Sequence, residues 1–239
     1  MGDLMNLYYD LHIHTALSPC GDEDMTPNNI VNMALLKGLD IIAITDHNSC
    51  ENVQAIIEVA EKTSLLVIPG MEIETAEEVH VVTLFPNLEQ AMAMQKIIYN
   101  TLPSVQNPKH IFGSQLIFNA KDEIIGENPQ LLLTACALSL TEIFRMVQSL
   151  QGVAIPAHID RSSYSILSNL GWFPQELYIP TIEVSMNSSY KKACTQYPDK
   201  KILQSSDAHY LGDIAEPLHT LNVESKTSQQ VIQYLKCDT

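Results

Sequence analysis

The sequence predicts an α/β barrel in which strands and helices alternate. Three observations predict it. Short apolar runs alternate with helix-patterned stretches along most of the 239 residues, as expected for a parallel sheet covered by helices. About seven such units recur, which favours a barrel over an open doubly wound sheet. No G-x-G-x-x-G or G-x-x-x-x-G-K-[ST] loop follows any strand, so the usual nucleotide-loop readings do not apply. Hydrophobic residues make up 46% of the chain, enough for one large core.

The elements follow in order. Residues 7–14 (LYYDLHIH) alternate as a strand, with Leu7, Tyr9, Leu11 and Ile13 on one face. Residues 27–37 read as a helix: Thr26 can cap it, Pro27 takes the first helical position and Gly38 closes it. LDIIAIT (39–45) is a strand apolar on both faces, and residues 51–62 are helical. LLVIPGMEI (65–73) and VHVVTLF (79–85) are strands. Residues 86–135 break the rhythm: a helix over 88–100, a stretch containing Pro and Asn, then QLIFN and DEIIG as a hairpin. The expected organisation is therefore a single domain over 1–239 with an insertion or cap at 86–135. Ser139 and Glu142 have the spacing of a capping box, opening a helix to about residue 150. GVAIPAHI (152–159), TIEVSM (181–186) and KKILQSSDA (200–208) are further strands, and 227–236 is a last helix.

The formal net charge is −15, with 13 Lys and Arg residues and no clustered basic track. Such a chain repels nucleic-acid backbones and anionic lipid, which argues against nucleic acid and membrane as partners. A small phosphorylated substrate stays open, because bound cations reverse the field locally. The N-terminal stretch lacks a signal-peptide pattern, and no run approaches the ~20 apolar residues of a membrane span. The five cysteines are scattered without a C-x-x-C pair, which fits a reducing cytoplasm.

Six of the eight histidines lie at or near strand ends. His12 and His14 close the first strand, on one face by period-two alternation, with Asp10 below them. His47 follows Asp46, Glu72 ends PGMEI, His80 opens or lies within VHVVTLF, and His158 ends GVAIPAHI. Asp207 and His209 end ILQSSDAH. Active sites of such barrels lie where the strands end. Mixed imidazole and carboxylate donors suit zinc, manganese or iron. The set exceeds the three or four ligands of one ion, so two or three metals are expected, with Glu72 as the candidate bridge. Asp46 is expected to orient an imidazole by hydrogen bond. Arg161 is a candidate phosphate grip, against the plainer reading of a surface arginine paired with Asp160.

The segments DLHIHT, AITDHNS, PGMEIET, EVHVVTLF, PAHID and SSDAH together resemble the polymerase and histidinol phosphatase (PHP) family, in the family's order from residue 10 to residue 209. The resemblance implies a distorted (β/α)7 TIM-like barrel, a trinuclear metal site and phosphoesterase activity. It implies that His12, His14, Glu72 and Asp207 hold one metal, that Glu72, His80 and His158 hold a second, and that His47 and His209 hold the third with an acid from the following loop. Where many relatives place an Asp or His, this chain has Pro19, and Asp22 is the chosen replacement, with Asp24 next. The expected reaction is hydrolysis of a phosphomonoester of a small metabolite or nucleotide by metal-bound hydroxide, with Glu72, Asp207 and Arg161 as catalytic residues. The rivals are a nuclease acting on DNA or RNA ends, a non-catalytic metal-binding regulatory barrel, and a C–N hydrolase on a similar barrel.

Overall fold

The structure, a computed structural model, describes residues 4–237; Met1–Asp3, where the N-terminal stretch begins, and residues 238–239 lie outside the described residues. The elements are β1 (Met5–Ile13), α1 (Pro27–Lys37), β2 (Ile41–Ile44), α2 (Val53–Ala60), β3 (Leu66–Glu74), β4 (His80–Leu84), α3 (Leu88–Tyr99), α4 (Lys109–Phe112), β5 (Leu116–Phe118), β6 (Ile124–Glu127), α5 (Leu140–Ser149), β7 (Val153–Pro156), α6 (Ile166–Asn169), β8 (Thr181–Val184), α7 (Tyr190–Gln196), β9 (Lys201–Gln204), β10 (Thr220–Val223) and α8 (Ser228–Lys236). Among the described residues no helix is long and apolar enough to cross a membrane.

This is a mixed α/β fold around a curled six-stranded sheet, ordered β10-β1-β2-β3-β4-β7. The sheet is not all-parallel, as the alternation suggested. β1, β2 and β3 run parallel, but β4 is antiparallel to both β3 and β7. The reason is the short turn between β3 and β4, where Thr75 N–H donates to Val79 O and Glu78 adopts φ 58°. A turn this short cannot make the crossover that parallel strands require. Gly70 in β3 permits the close approach: a Cβ there would lie 2.6 Å from Thr83 O of β4. β10, which the sequence reading did not anticipate, pairs antiparallel with β1.

β8 and β9 form a separate parallel pair. It bonds to both sides of the curled sheet. Ile159 N–H, just after β7, donates to Glu183 O of β8, and His14 N–H donates to Ala208 O beyond β9.

Two apolar clusters sort the faces of the sheet. One gathers Leu7, Tyr9 and Leu11 of β1, Ile41 and Ala43 of β2, Ile68 of β3, Val82 and Leu84 of β4, Val153 and Ile155 of β7 and Leu203 of β9, with Val231, Ile232 and Leu235 of α8 packed among them. The other takes the alternate residues, such as Ile13, Ile42, Ile44, Met71, Val81 and Ile182, against the surrounding helices. In β1 the register slips between Asp10 and Ile13. That bulge inserts one residue and reverses the alternation. Ile13 therefore leaves the face of Leu7, Tyr9 and Leu11, and Asp10 does not lie below His12. Asp10 instead accepts hydrogen bonds from Ser206 and from Ala215 N–H.

Helix signals behave as local chemistry dictates. Gly38 closes α1 at φ 77°. Ser139 and Glu142 form the expected reciprocal capping box on α5. Thr26 occupies the N-cap of α1 but its hydroxyl makes no cap bond.

Residues 86–135 supply α3, α4 and the β5–β6 hairpin. They pack on the connections that leave β1 and β2. Leu116 N–H donates to Ala16 O, Asn52 donates to Leu116 O, and Asn48 donates to Leu132 O and Thr134 O.

Candidate metal centre

The face that carries the α8-packed cluster also carries the site. Continuing period two from Ile41 and Ala43 reaches His47; from Ile68 it reaches Glu72; from Leu84 and Val82 it reaches His80. Because β4 is reversed, its first residue lies level with the last residues of β3, and His80 pairs with Glu74. A histidine that opens a strand thus joins donors that lie at strand ends. His12 reaches the same place through the β1 bulge. His158 and Asp207 do so through left-handed backbone, at φ 29° and 54°. Non-glycine residues adopt such conformations at a cost, and they concentrate at functional sites.

Glu72 is the hub. Its carboxylate lies 3.4 Å from His12 Nε2, 3.5 Å from His14 Nε2, 3.1 Å from His47 Nδ1, 2.9 Å from His80 Nδ1 and 3.2 Å from His158 Nε2. Asp207 Oδ1 lies 3.3 Å from His12 Nε2 and 3.0 Å from His14 Nε2. His209 stacks on His14 with ring centroids 4.3 Å apart. Three sets place their donor atoms within 4.8 Å of one another: His12, His14, Glu72 and Asp207; His47, Glu72 and His80; and His14, His47 and His209.

Burial disfavours charge throughout this cluster. For His12, burial is outweighed by Glu183, Asp207 and Glu72, and its pKa rises well above the usual histidine value. His80 rises as well, burial being overcome mainly by Glu72. His14 and His47 are lowered, by burial first, so they are neutral near pH 7. Burial opposes ionisation of Glu72 and Asp207. The surrounding imidazoles prevail and hold Glu72 well below the usual carboxylate range and Asp207 below it too.

The residues fit metal ions on three counts. The first is tautomers. Ser18 Oγ donates its one proton to Asp46 Oδ1 at 2.7 Å, so His14 Nδ1, 3.0 Å from that oxygen, must be the donor. The lone pair of His14 is then on Nε2, facing Asp207. Glu183 likewise takes the Nδ1 proton of His12 at 3.0 Å, and the carbonyl of Asp207 takes that of His209 at 2.8 Å. The second count is repulsion. His12 Nε2 and His14 Nε2 lie 3.2 Å apart, a separation that needs a proton or a cation between two lone pairs. The third is an orphaned atom. Among the described residues the buried Glu72 Oε2 has no hydrogen-bond partner, although His47 Nδ1 lies 3.1 Å from its carboxylate. The protons that balance these carboxylates are ones a divalent cation would displace.

The remaining candidates fall as follows. His158 faces Glu72 but belongs to none of the three converging sets. Neither do Asp22 and Asp24. The Asp22 carboxylate accepts from Asp24 N–H at 2.9 Å, while Asp22 N–H donates to His209 O. Arg161 does not pair with Asp160, whose oxygens are taken by Ser185 and Ser188. It grips Asp207 Oδ2 at 2.6 Å from the solvent side, its own side chain 46% exposed. Asp46 bonds no imidazole directly; it holds Thr15 and Ser18, and reaches His14 only through Ser18. Cys50 is buried and Cys20 is exposed. His110 is exposed, and His219 stacks on Tyr190 and bonds Gln204.

Three residues escaped the sequence reading. Glu183 seats His12. Ser18 seats His14 and also accepts His47 N–H. Tyr164 stacks on His80 with centroids 4.8 Å apart. Glu183 left a signal, a lone carboxylate within the apolar strand TIEV; Ser18 and Tyr164 left none.

A family model for the PHP domain matches residues 10–236. An uncharacterised protein of Methanocaldococcus jannaschii is 35% identical over 86 residues, 33% of this chain and 50% of that protein. The 5′-3′ exoribonuclease Rnm of Salmonella typhimurium is 37% identical over 81 residues, 32% of this chain and 27% of that enzyme. The chain spans about half or less of the length of these curated relatives. Among solved structures, the lesion-specific endonuclease Q of Pyrococcus furiosus superposes with a TM-score of 0.70 at 20% identity, covering 97% of this chain and 56% of that one. With the matched segment embracing every residue of the cluster, the chain belongs to the PHP domain family.

Proposed function

We propose that this chain is a metal-dependent phosphoesterase that hydrolyses a small phosphomonoester, a metabolite or nucleotide, using two to three divalent ions of zinc, manganese or iron. The observation that carries the reading is the convergence of five imidazoles on Glu72, one of whose oxygens has no hydrogen-bond partner among the described residues. In this reading His12, His14, Glu72 and Asp207 hold one ion. Glu72, His80 and His158 hold a second, with His47 within reach. His47 and His209 hold the third, completed by Asp22. Bound ions supply Lewis acidity toward phosphoryl oxygens and a hydroxide source near neutral pH.

The protein's own groups do the rest. Glu72 spreads one charge across the cluster. Glu183, Ser18 and the Asp207 carbonyl fix which imidazole nitrogens carry protons. Arg161, already held at Asp207, directs its exposed guanidinium to a phosphoryl oxygen. β8 and β9 complete a distorted (β/α)7 barrel in this reading. Residues 1–239 form one PHP-type domain, with 86–135 as a cap over the site face that narrows the approach to small substrates. The five free cysteines fit a reducing cytoplasm.

A second reading is a nuclease acting on DNA or RNA ends. It is favoured by the exoribonuclease relative and by the structure of endonuclease Q with a 27-mer duplex carrying an abasic lesion at its active site. The net charge of −15 weighs against it. The test is phosphate release from a panel of phosphorylated metabolites and nucleotides by manganese-, zinc- and iron-loaded protein, beside labelled oligonucleotides. Higher kcat/KM on a small phosphomonoester supports the first reading, and higher kcat/KM on long oligonucleotides replaces it with the second.

A further inference from the structure

Tyr164 belongs to no metal-converging set, yet it touches one of the proposed ligands. Its ring lies on that of His80 with centroids 4.8 Å apart and planes inclined by 27°. Its backbone carbonyl accepts His80 N–H at 2.9 Å. It does this from φ 55°, a conformation rare for a bulky residue. The loop is pinned to hold it there: Arg161 N–H donates to His158 O, and Ser165 Oγ donates to Arg161 O at 2.8 Å. A strained, anchored backbone thus presents a large aromatic ring that remains 46% exposed. Packing alone does not account for that, since a ring serving only as a wedge would be buried.

The same short loop holds Arg161 against Asp207. Arg161 and Tyr164 therefore both border the Glu72 cluster, one at Asp207 and one at His80. We infer that Tyr164 is a specificity-determining residue: its outer face is a stacking platform for a flat aromatic group attached to the phosphoryl group that Arg161 grips. The inference rests on the phosphoesterase reading above. It selects, among small phosphoesters, those whose leaving group carries an aryl ring or nucleobase close to the phosphate. Offset aromatic stacking favours such a group over a saturated one of equal size.

The test compares wild type with Tyr164→Ala, Tyr164→Leu and Tyr164→Phe, each with metal content checked. Calorimetry measures binding of phenylphosphonate and cyclohexylphosphonate, and kcat/KM is measured on phenyl phosphate and cyclohexyl phosphate. Wild type is expected to prefer the aromatic member of each pair by about fivefold to tenfold. The preference is lost in Tyr164→Ala and Tyr164→Leu and kept in Tyr164→Phe, all with unchanged metal content. Tyr164→Leu preserves bulk should Tyr164→Ala fold poorly. If Tyr164→Leu keeps the aromatic preference, or both ligands weaken equally along with metal loss, the platform is refuted and Tyr164 is a prop for His80, while the phosphoesterase reading stands. If wild type binds neither phosphonate and cleaves neither ester, the platform is refuted, while the phosphoesterase reading is decided by the metabolite and nucleotide panel above.

Discussion

β2 and β3 deliver their ligands differently from β1 and β7. In β2 and β3 the alternation that buries Ile41, Ala43 and Ile68 runs on without interruption to His47 and Glu72. In β1 a bulge turns His12 to the site, and after β7 His158 reaches it through its own left-handed backbone. The regular strands position ligands by register alone, so the apolar pattern and the chemistry are one periodic signal. The irregular ends depend on neighbours that hold an unfavoured conformation: Ser206 and Ala215 on Asp10, Glu183 on the backbone of His158. Regular strands make the site's floor; irregular ends aim its remaining donors, and they need support from other parts of the chain.

Metal removal should have the largest effect, because it acts on both kinds of ligand at once. Exhaustive chelation is expected to abolish phosphate release, and manganese, zinc or iron to restore it. Activity unchanged after complete chelation, verified by elemental analysis, would contradict a metal centre of either origin.

The next effects separate the supports. Ser18→Ala removes the acceptor that fixes His14, and Glu183→Gln weakens the one that seats His12. Each is expected to lower metal affinity about 10- to 100-fold, read by competition with a chromogenic chelator. Asp46→Asn should follow Ser18→Ala in direction, because Asp46 acts on His14 through that hydroxyl. If Ser18→Ala leaves affinity unchanged, the tautomer argument fails for His14.

How much of this was legible in the sequence follows from the same comparison. His47, Glu72 and the existence of β2 and β3 could be read from apolar runs ending in polar donors. The pairing of His12 with His14 at a strand end is legible, but simple alternation places Asp10 beneath them, and a one-residue bulge leaves no mark in residue type. His80 reads as opening or lying within a strand, and only the reversal of β4 explains why a start lies level with strand ends. That reversal follows from a connection too short for a crossover, a feature of loop length that the strand–helix alternation alone does not convey. β10 was missed because it is four residues long and partly exposed. Ser18 and Tyr164 lie in loops, where position is set by tertiary contacts that no period encodes.

Asp22 is the weakest inheritance from resemblance. Its carboxylate caps Asp24 N–H rather than entering a converging set. Asp22→Asn is therefore expected to lower occupancy of one ion by less than about tenfold and leave the others bound, with Asp24→Asn doing less. Equal loss of all ions in Asp22→Asn would show the loop to be integral to the cluster. At the far end of the scale, Ser139→Ala removes a helix cap that belongs to none of the converging donor sets. It should lower Tm by about 2–4 °C without changing metal content; a change in metal content would mean that α5 is coupled to the site.

The central claim is that Glu72 joins the ions into one centre. Elemental analysis of protein purified without chelator, wild type beside Glu72→Gln, tests it most directly. Two to three transition-metal ions per chain are expected in the wild type. Glu72→Gln is expected to lose at least two of them, with turnover reduced on the order of 1,000-fold. Full metal content and near-normal turnover in Glu72→Gln would contradict it.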